Sequence, residues 1–151
     1  MTDANEVVSV ERVIPAPPEK IFDLLADPAR HREIDGSGTV RDPSEKSERL
    51  KLGSTFDMKM KMGIPYTMRN TVVEFEENRK IAWQPRPKRF KKFGGRIWRY
   101  ELEPVEGATL VRESWDISQE TGMKSLVAKG GSHAAKSMEK TLERIEEIVT
   151  R

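Results

Sequence analysis

Thr55-Phe56-Asp57-Met58-Lys59-Met60-Lys61-Met62 alternates without a fault, with Phe56, Met58, Met60 and Met62 on one side and Asp57, Lys59 and Lys61 on the other. A period of two marks a strand with one face buried and one face wet. The same reading extends both ways along the chain. Gly63-Ile64-Pro65 makes a turn and Tyr66–Glu76 runs back as a strand. Glu77-Asn78 turns again, and Arg79–Gln84 pairs back with Ile81 and Trp83 in phase. Gly95–Glu103 sets Arg96, Trp98, Tyr100 and Leu102 against Ile97, Arg99, Glu101 and Glu103. After the Glu106-Gly107 turn signal, Thr109–Ile117 aligns Thr109, Val111, Glu113, Trp115 and Ile117 on one face. Upstream, Thr39–Ser47 is a polar strand candidate, and the β-branched run Val7–Ile14 is a strand ended by Pro15. Strands joined by short turns form an antiparallel meander.

Helical signals flank the meander. Pro18 suits the first turn of a helix, where its missing N–H costs nothing, and Ile21, Phe22, Leu24 and Leu25 supply an apolar face. Asp27 caps a second short helix that begins at Pro28 and runs to about Ile34, before Gly36-Ser37-Gly38. At the far end, Met123, Val127, Gly130, Ala134, Met138, Leu142, Ile145 and Val149 recur at steps of three and four, which is a helical stripe. Its firm part is expected from about Ala134 to Thr150. Gly130-Gly131-Ser132 either interrupts the helix, with Ser132 as a cap, or lies inside it.

The 151 residues suit one domain, 1–151. Lys and Arg total 27 against 25 Asp and Glu, a formal charge of +2, so no global field argues for nucleic acid or an acidic substrate. With no cysteine, disulfides, thiolate metal sites and a Cys nucleophile are excluded. The opening Met1-Thr2-Asp3-Ala4-Asn5-Glu6 lacks the pattern of a secretory signal, and no apolar run approaches the ~18 residues that span a bilayer. The expectation is a soluble, cytoplasmic α+β domain. Its curved antiparallel sheet of about seven strands wraps a long C-terminal helix, with two short helices after the first strand. A lean core, 36% hydrophobic, leaves space between sheet and helix, and that space is where a ligand would sit.

This order resembles the START-like helix-grip superfamily, also called SRPBCC, and within it the polyketide cyclase/dehydrase and lipid-transport group. The likeness is carried by Val8–Pro18 running into Ile21-Phe22-Asp23-Leu24-Leu25-Ala26-Asp27-Pro28, and by the segment His31–Gly38. Val73-Glu74-Phe75 ahead of the Glu77-Asn78 turn and Tyr100-Glu101-Leu102-Glu103-Pro104 carry the rest. It covers nearly the whole chain, but its motifs are fold markers, specific for architecture rather than chemistry. Members bind lipids, sterols, polyketides or other apolar small molecules, and some catalyse reactions. The resemblance therefore implies a pocket and leaves the ligand open.

The expected pocket wall is Phe56, Met58, Met60, Met68, Trp83, Trp98, Tyr100, Trp115, Met138 and Leu142. Its methionines are adaptable thioethers suited to varied apolar shapes, or plain core filling. Glu113, in phase with Val111 and Trp115, points to the apolar side, where a carboxyl can serve as acid, base or ligand anchor; a structural ion pair, with Arg96 as one possible partner, or a bulge that flips it outward is the favoured alternative. His31 shares a helical face with Asp35 and is the second acid/base candidate. Its neighbours Arg30, Arg32 and Glu33 are the makeup of an exposed face, however, and favour a solvated histidine over a catalytic one. His31 and His133 lack a third clustered ligand, so no metal and no cofactor is expected. From Arg79 to Arg99 there are nine Lys and Arg and no acid, with Phe90 and Phe93 interleaved. This run is a solvated hairpin loop opened by Pro85 and Pro87, a rim that steers anions to the pocket, or a nucleic-acid or membrane patch; nucleic acid is not expected.

Three functions are compatible with these residues. The first is binding of an apolar or aromatic small molecule. The second is a cyclase- or dehydratase-type enzyme with Glu113 or His31 as acid/base and Tyr100 and Arg96 orienting a carbonyl. The third is a protein-interaction role, which the resemblance implies through chaperone-ATPase activators and for which the acidic side of the C-terminal helix and the basic hairpin are the candidate surfaces. A monomer or a homodimer is compatible with all three.

Overall fold

The structure is a computed structural model that describes residues 6–34, 40–43, 48–62, 64–87, 94–121 and 124–151, with the backbone at 40–43 and 60–62. Strand β1, Val7–Ile14, leads into α1, Pro18–Leu25. Extended Pro17 caps α1 and Pro18 opens it, while Ile21, Phe22, Leu24 and Leu25 are buried. Each of those burials contributes roughly 1.5–3 kcal/mol. The Asp27 carboxylate accepts from the Ala29 N–H at 3.0 Å, as an N-cap should. What it caps is a 3₁₀ turn, Pro28–Arg30, which widens into the single-turn helix α2, His31–Ile34. The expected second short helix is thus two short pieces.

Six strands come next: β2 (Val40–Pro43), β3 (Thr55–Met62), β4 (Ile64–Glu76), β5 (Lys80–Pro87), β6 (Ile97–Val105) and β7 (Ala108–Asp116). All seven form one antiparallel sheet in the order β1-β7-β6-β5-β4-β3-β2, so the first strand closes against the last. Of the expected strand Thr39–Ser47, Val40–Pro43 is strand, and 39 and 44–47 lie outside the described residues. The strand β5 reaches past Gln84 through Pro85 and Pro87, which the sequence pattern assigns to a loop. The reason is local. Pairing of β5 with β6 ends at Trp83↔Trp98, and beyond it β5 pairs with β4 alone, as Asn70↔Pro85 and Met68↔Pro87. Missing N–H groups are tolerated on a side no strand occupies.

One irregularity decides which side chains face the helices. Val72 pairs with Trp83 but Glu74 pairs with Ala82, so Val73 is an extra, bulged residue on β4. Before the bulge even-numbered residues point inward; after it, Phe75 turns in against Phe22, ring centroids 5.5 Å apart, and Glu74 turns out. On that outer face Glu74 reaches across β5 to Arg99 on β6, Oε2 to Nη2 at 2.6 Å, and Arg99 Nη1 lies 3.4 Å from Asp116. The residue bridged over is Ala82, which the ion pair leaves fully buried. A Ser9–Ser114 hydroxyl contact at 2.8 Å continues the row to the edge strand. Arg99 holds the Glu74 carboxyl below its ordinary value, and the two acids hold the Arg99 guanidinium more firmly charged.

The chain ends in α3, Lys124–Ala128, and α4, Gly131–Val149. The two glycines interrupt the helix, with Gly130 rather than Ser132 at the cap position. A Cβ on Gly131 would lie 3.3 Å from Val8 Cγ2, so a glycine there lets the helix start close against β1. Met138, Leu142, Ile145 and Val149 are buried along one stripe. The helix packs mainly on β1 and β7, where Arg12 donates twice to Glu146 Oε2, at 2.7 and 3.2 Å. Among the described residues, no helix is long and apolar enough to cross a membrane.

Candidate functional site

Because α4 leans on β1 and β7, it stands off from the middle of the sheet. The gap is a half-open pocket of about 670 Å³, walled by β3–β7 on one side and by α2, α3 and α4 on the other. Its central feature is a row of all three tryptophans, directly opposite one another across three strands: Trp83 on β5, Trp98 on β6 and Trp115 on β7. Met58, Met68, Tyr100 and Met138 complete the expected residues on the wall. Phe56 and Leu142 are buried in the core instead; Phe56 backs the wall, edge-on to Trp83 at 5.7 Å and to His31 at 5.2 Å. The Met60 side chain lies outside the described residues, although its backbone pairs with Tyr66.

Both candidate acid/base residues line this pocket. Glu113 is 3% exposed and sits opposite Tyr100 and Val10 in the ladders, as its phase with Val111 and Trp115 requires. His31 is also 3% exposed, so the reading of a solvated histidine among Arg30, Arg32 and Glu33 is overturned. Neighbours in sequence point to other faces of a helical segment. Pro28 and Ile34, three residues away on each side, are both buried and share the face of His31. The imidazole stacks on Trp83, centroids 4.8 Å apart and planes 23° apart, and its Nε2 lies 2.8 Å from Leu25 O. Burial lowers its pKa to about 4, so the ring is neutral at pH 7. Its suggested companion Asp35 lies outside the described residues.

Arg96 stands just ahead of β6 on the pocket wall and forms an ion pair with Glu120, Nε to Oε2 at 3.5 Å. The rest of the basic run divides. Lys80 and Arg99 join Glu74 on the outer face, and 88–93 lie outside the described residues. Gly95 is what brings Arg96 and Glu120 within reach of each other. Its φ is +114°, and a Cβ there would collide with the Gln119 carbonyl oxygen, so only glycine lets the chain after β7 close over the start of β6. The Thr121 N–H donates to Gly94 O at 2.9 Å on the same seam.

Sequence reasoning missed several wall residues. Asn70, Ile34, His133, Ser137 and Thr141 all line the pocket. Asn70 was open to detection, since it is in phase with Met68 and Val72 on β4. The others lie on helices, where the stripe identifies the buried side but not which of its residues stand clear of the sheet. Among the described residues, no three His, Asp or Glu gather in a way that would hold a metal ion.

Comparison with known proteins agrees with this architecture. The model of the family described as polyketide cyclase / dehydrase and lipid transport matches residues 6–150. An uncharacterized protein of Mycobacterium tuberculosis H37Rv is 36% identical over 114 residues, 74% of this chain. The chain spans about half the length of that relative, 48%. A START superfamily protein from Mycobacterium smegmatis superposes with a TM-score of 0.69 at 18% identity, covering 94% of this chain and 98% of that one. The Aha1 dimer from Colwellia psychrerythraea gives 0.66 at 20% identity, covering 95% of each chain. At those identities the likeness is one of fold. The family match across nearly the whole chain, on a seven-stranded sheet with a long C-terminal helix, identifies the protein as a member of the polyketide cyclase / dehydrase and lipid-transport family.

Proposed function

We propose that the protein binds a small, largely apolar molecule in the gap between the sheet and α4. The observation that carries this reading is the row Trp83–Trp98–Trp115 across the pocket, with Met58, Met68 and Met138 around it. Trp98, Met58 and Met68 are only partly buried by the protein's own core, and an apolar guest would cover what they leave exposed. At about 670 Å³ the space falls within the range of pockets for small organic ligands, roughly 300–1,000 Å³. Family membership supports the same class of ligand. Native mass spectrometry of freshly purified protein is expected to find a co-purified apolar compound. Titration with apolar aromatics is expected to quench the tryptophan fluorescence, since all three indoles line the pocket. No adduct and no quenching by any apolar probe would refute it.

A proton-transfer enzyme is the second reading, favoured by Glu113 and His31 sharing one pocket. With the imidazole weakened as a base, Glu113 is the group to move a proton and His31 the one to orient. In that case Glu113→Gln abolishes turnover of a bound polyketide-like substrate while leaving its binding intact. Loss of binding along with turnover would assign Glu113 to anchoring instead.

A further inference from the structure

The pocket has an ionisable group at each end and indoles between them. Along β6 the order on the wall is Arg96, just ahead of the strand, then Trp98, then Tyr100. Trp83 and Trp115 flank Trp98, and Glu113 stands opposite Tyr100. Four residue steps lead from Arg96 to Tyr100, roughly 13 Å of extended chain. The Arg96 side chain is 38% exposed and Glu113 is 3% exposed, so the guanidinium marks the open end and the carboxyl the inner one. Apart from the two histidines, the other polar groups on the wall are indole N–H groups, hydroxyls and the Asn70 amide, none of which carries a formal charge.

Arg96 is held in place without its donors being used. Buried Glu120 meets it at Nε, but at 3.5 Å the contact is one of charge, and Glu120 Oε2 has no hydrogen-bond partner. Among the described residues, the five N–H groups of this guanidinium make no hydrogen bond. The backbone beneath it is fixed by the close approach of Gly95 to Gln119 and by Gln84 Nε2, which donates to Gly95 O at 2.8 Å. Arg86 brings a second guanidinium to the same seam, its Nη2 3.3 Å from where a Gly95 Cβ would lie. The stretch Arg79–Arg99 that contains both arginines has no acid. A planar fork of N–H donors matches the two oxygens of a carboxylate, and the match combines charge with geometry.

We infer that Arg96 anchors a carboxylate at the open end of the pocket, so that the ligand is a monocarboxylic acid whose apolar body, roughly 10 Å long, lies along the tryptophan row toward Glu113. Biaryl, fused-ring and medium-chain acids fit this class. A diacid does not, because its second carboxylate would meet the Glu113 carboxyl in a space that water does not reach. The inference rests on the pocket-binding reading and narrows it to a ligand class.

The test compares three probes with one apolar body at pH 7: biphenyl-4-carboxylate, biphenyl-4-carboxamide and biphenyl-4,4′-dicarboxylate. Binding is followed by titration calorimetry, and the Arg96 side-chain Nε–H by ¹⁵N NMR in the wild-type protein. The monocarboxylate is expected to bind about tenfold or more tighter than the amide, the range of charge-assisted hydrogen bonds. It should also bind tighter than the dicarboxylate, and it alone should strongly move the Arg96 signal. Arg96→Gln should level the monocarboxylate with the amide, and Arg96→Lys, which keeps the charge and loses the fork, should restore only part of the difference. Arg96→Gln leaves Glu120 without its counter-ion; should it fail to fold, the double variant Arg96→Gln/Glu120→Gln removes both charges and is expected to show the same levelling. Should neither fold, the wild-type affinities and the NMR signal still decide. An amide or dicarboxylate that binds as tightly as the monocarboxylate, an unmoved Arg96 signal, or a carboxylate preference that survives Arg96→Gln overturns the anchor while the pocket reading stands. If none of the three binds, both fall.

Discussion

Acidification from pH 7 to pH 5 should weaken the fold through a single side chain. His31 has an ordinary pKa of 6.5 and a folded value of about 4, because burial between Trp83, Phe56 and the pocket wall strips a charged imidazolium of hydration. The unfolded chain takes up that proton as pH falls through 6.5, whereas the folded chain takes it up only near 4. The unfolded state therefore binds more protons in that window, and stability is lost as pH falls. A shift of 2.5 units at 1.36 kcal/mol each gives about 3 kcal/mol in total, of which about 2 kcal/mol is already lost by pH 5. Urea unfolding at pH 7, 6 and 5, followed by tryptophan fluorescence, measures this directly. The variant His31→Phe starts from lower stability, since Leu25 O loses its donor, but its unfolding free energy should be nearly flat over the window. A wild-type protein equally stable at pH 7 and pH 5, or a variant that loses as much as the wild type, would refute the reasoning.

The outer-face ion cluster has a separate acid window. Arg99→Met, which leaves Glu74 with Lys80 at 3.7 Å and Asp116 with the Ser118 N–H, should cost about 1–3 kcal/mol at pH 7, discounted for partial exposure. That deficit should shrink as pH falls from 4.5 toward the lowered Glu74 value, because the unfolded chain takes up the proton before the folded wild type does. Gly95→Ala should destabilise by roughly 3 kcal/mol or more, since a methyl meets the Gln119 carbonyl on top of an unfavourable φ; Gly53→Ala, with a similar positive φ and open space, should cost only about 1 kcal/mol by thermal or urea melting. Met138→Ala should cost about 2–3 kcal/mol and enlarge the pocket, shifting preference in a size-graded series of aromatic probes toward larger members. Fluorescence titration with generic duplex DNA at low salt should show no binding; tight, steeply salt-dependent binding would reassign the Arg79–Arg99 run as a nucleic-acid surface.

The strands were legible because alternation is a direct image of a two-faced sheet. Glu113, Trp98 and Trp83 could be assigned to the inner face from phase alone. Phase carries no depth, however, so Phe56 and Leu142 read the same as Met58 and Met138 although the first pair does not reach the pocket. His31 was misjudged from its flanking charges, when its i±3 companions Pro28 and Ile34 carried the signal. The ion pair of Arg96 with Glu120 joins segments 24 residues apart and depends on the Gly95 close approach, so no periodic pattern could announce it. The Val73 bulge was equally silent, since one extra residue leaves both halves of β4 alternating normally.

Ala82 has a consequence for how such a protein diversifies. It lies beside Trp83 in the chain, yet the two face opposite sides of the sheet and belong to different structures. The outer brace from Glu74 over Ala82 to Arg99 and the inner row of indoles alternate along the same strands without sharing a side chain. Mutation can therefore resize or repolarise the inner row while the brace holds the strands in register. The brace has little such latitude, because any residue larger than alanine at position 82 lifts Glu74 off Arg99. The inner face is thus open to change, and the outer face is held by its brace.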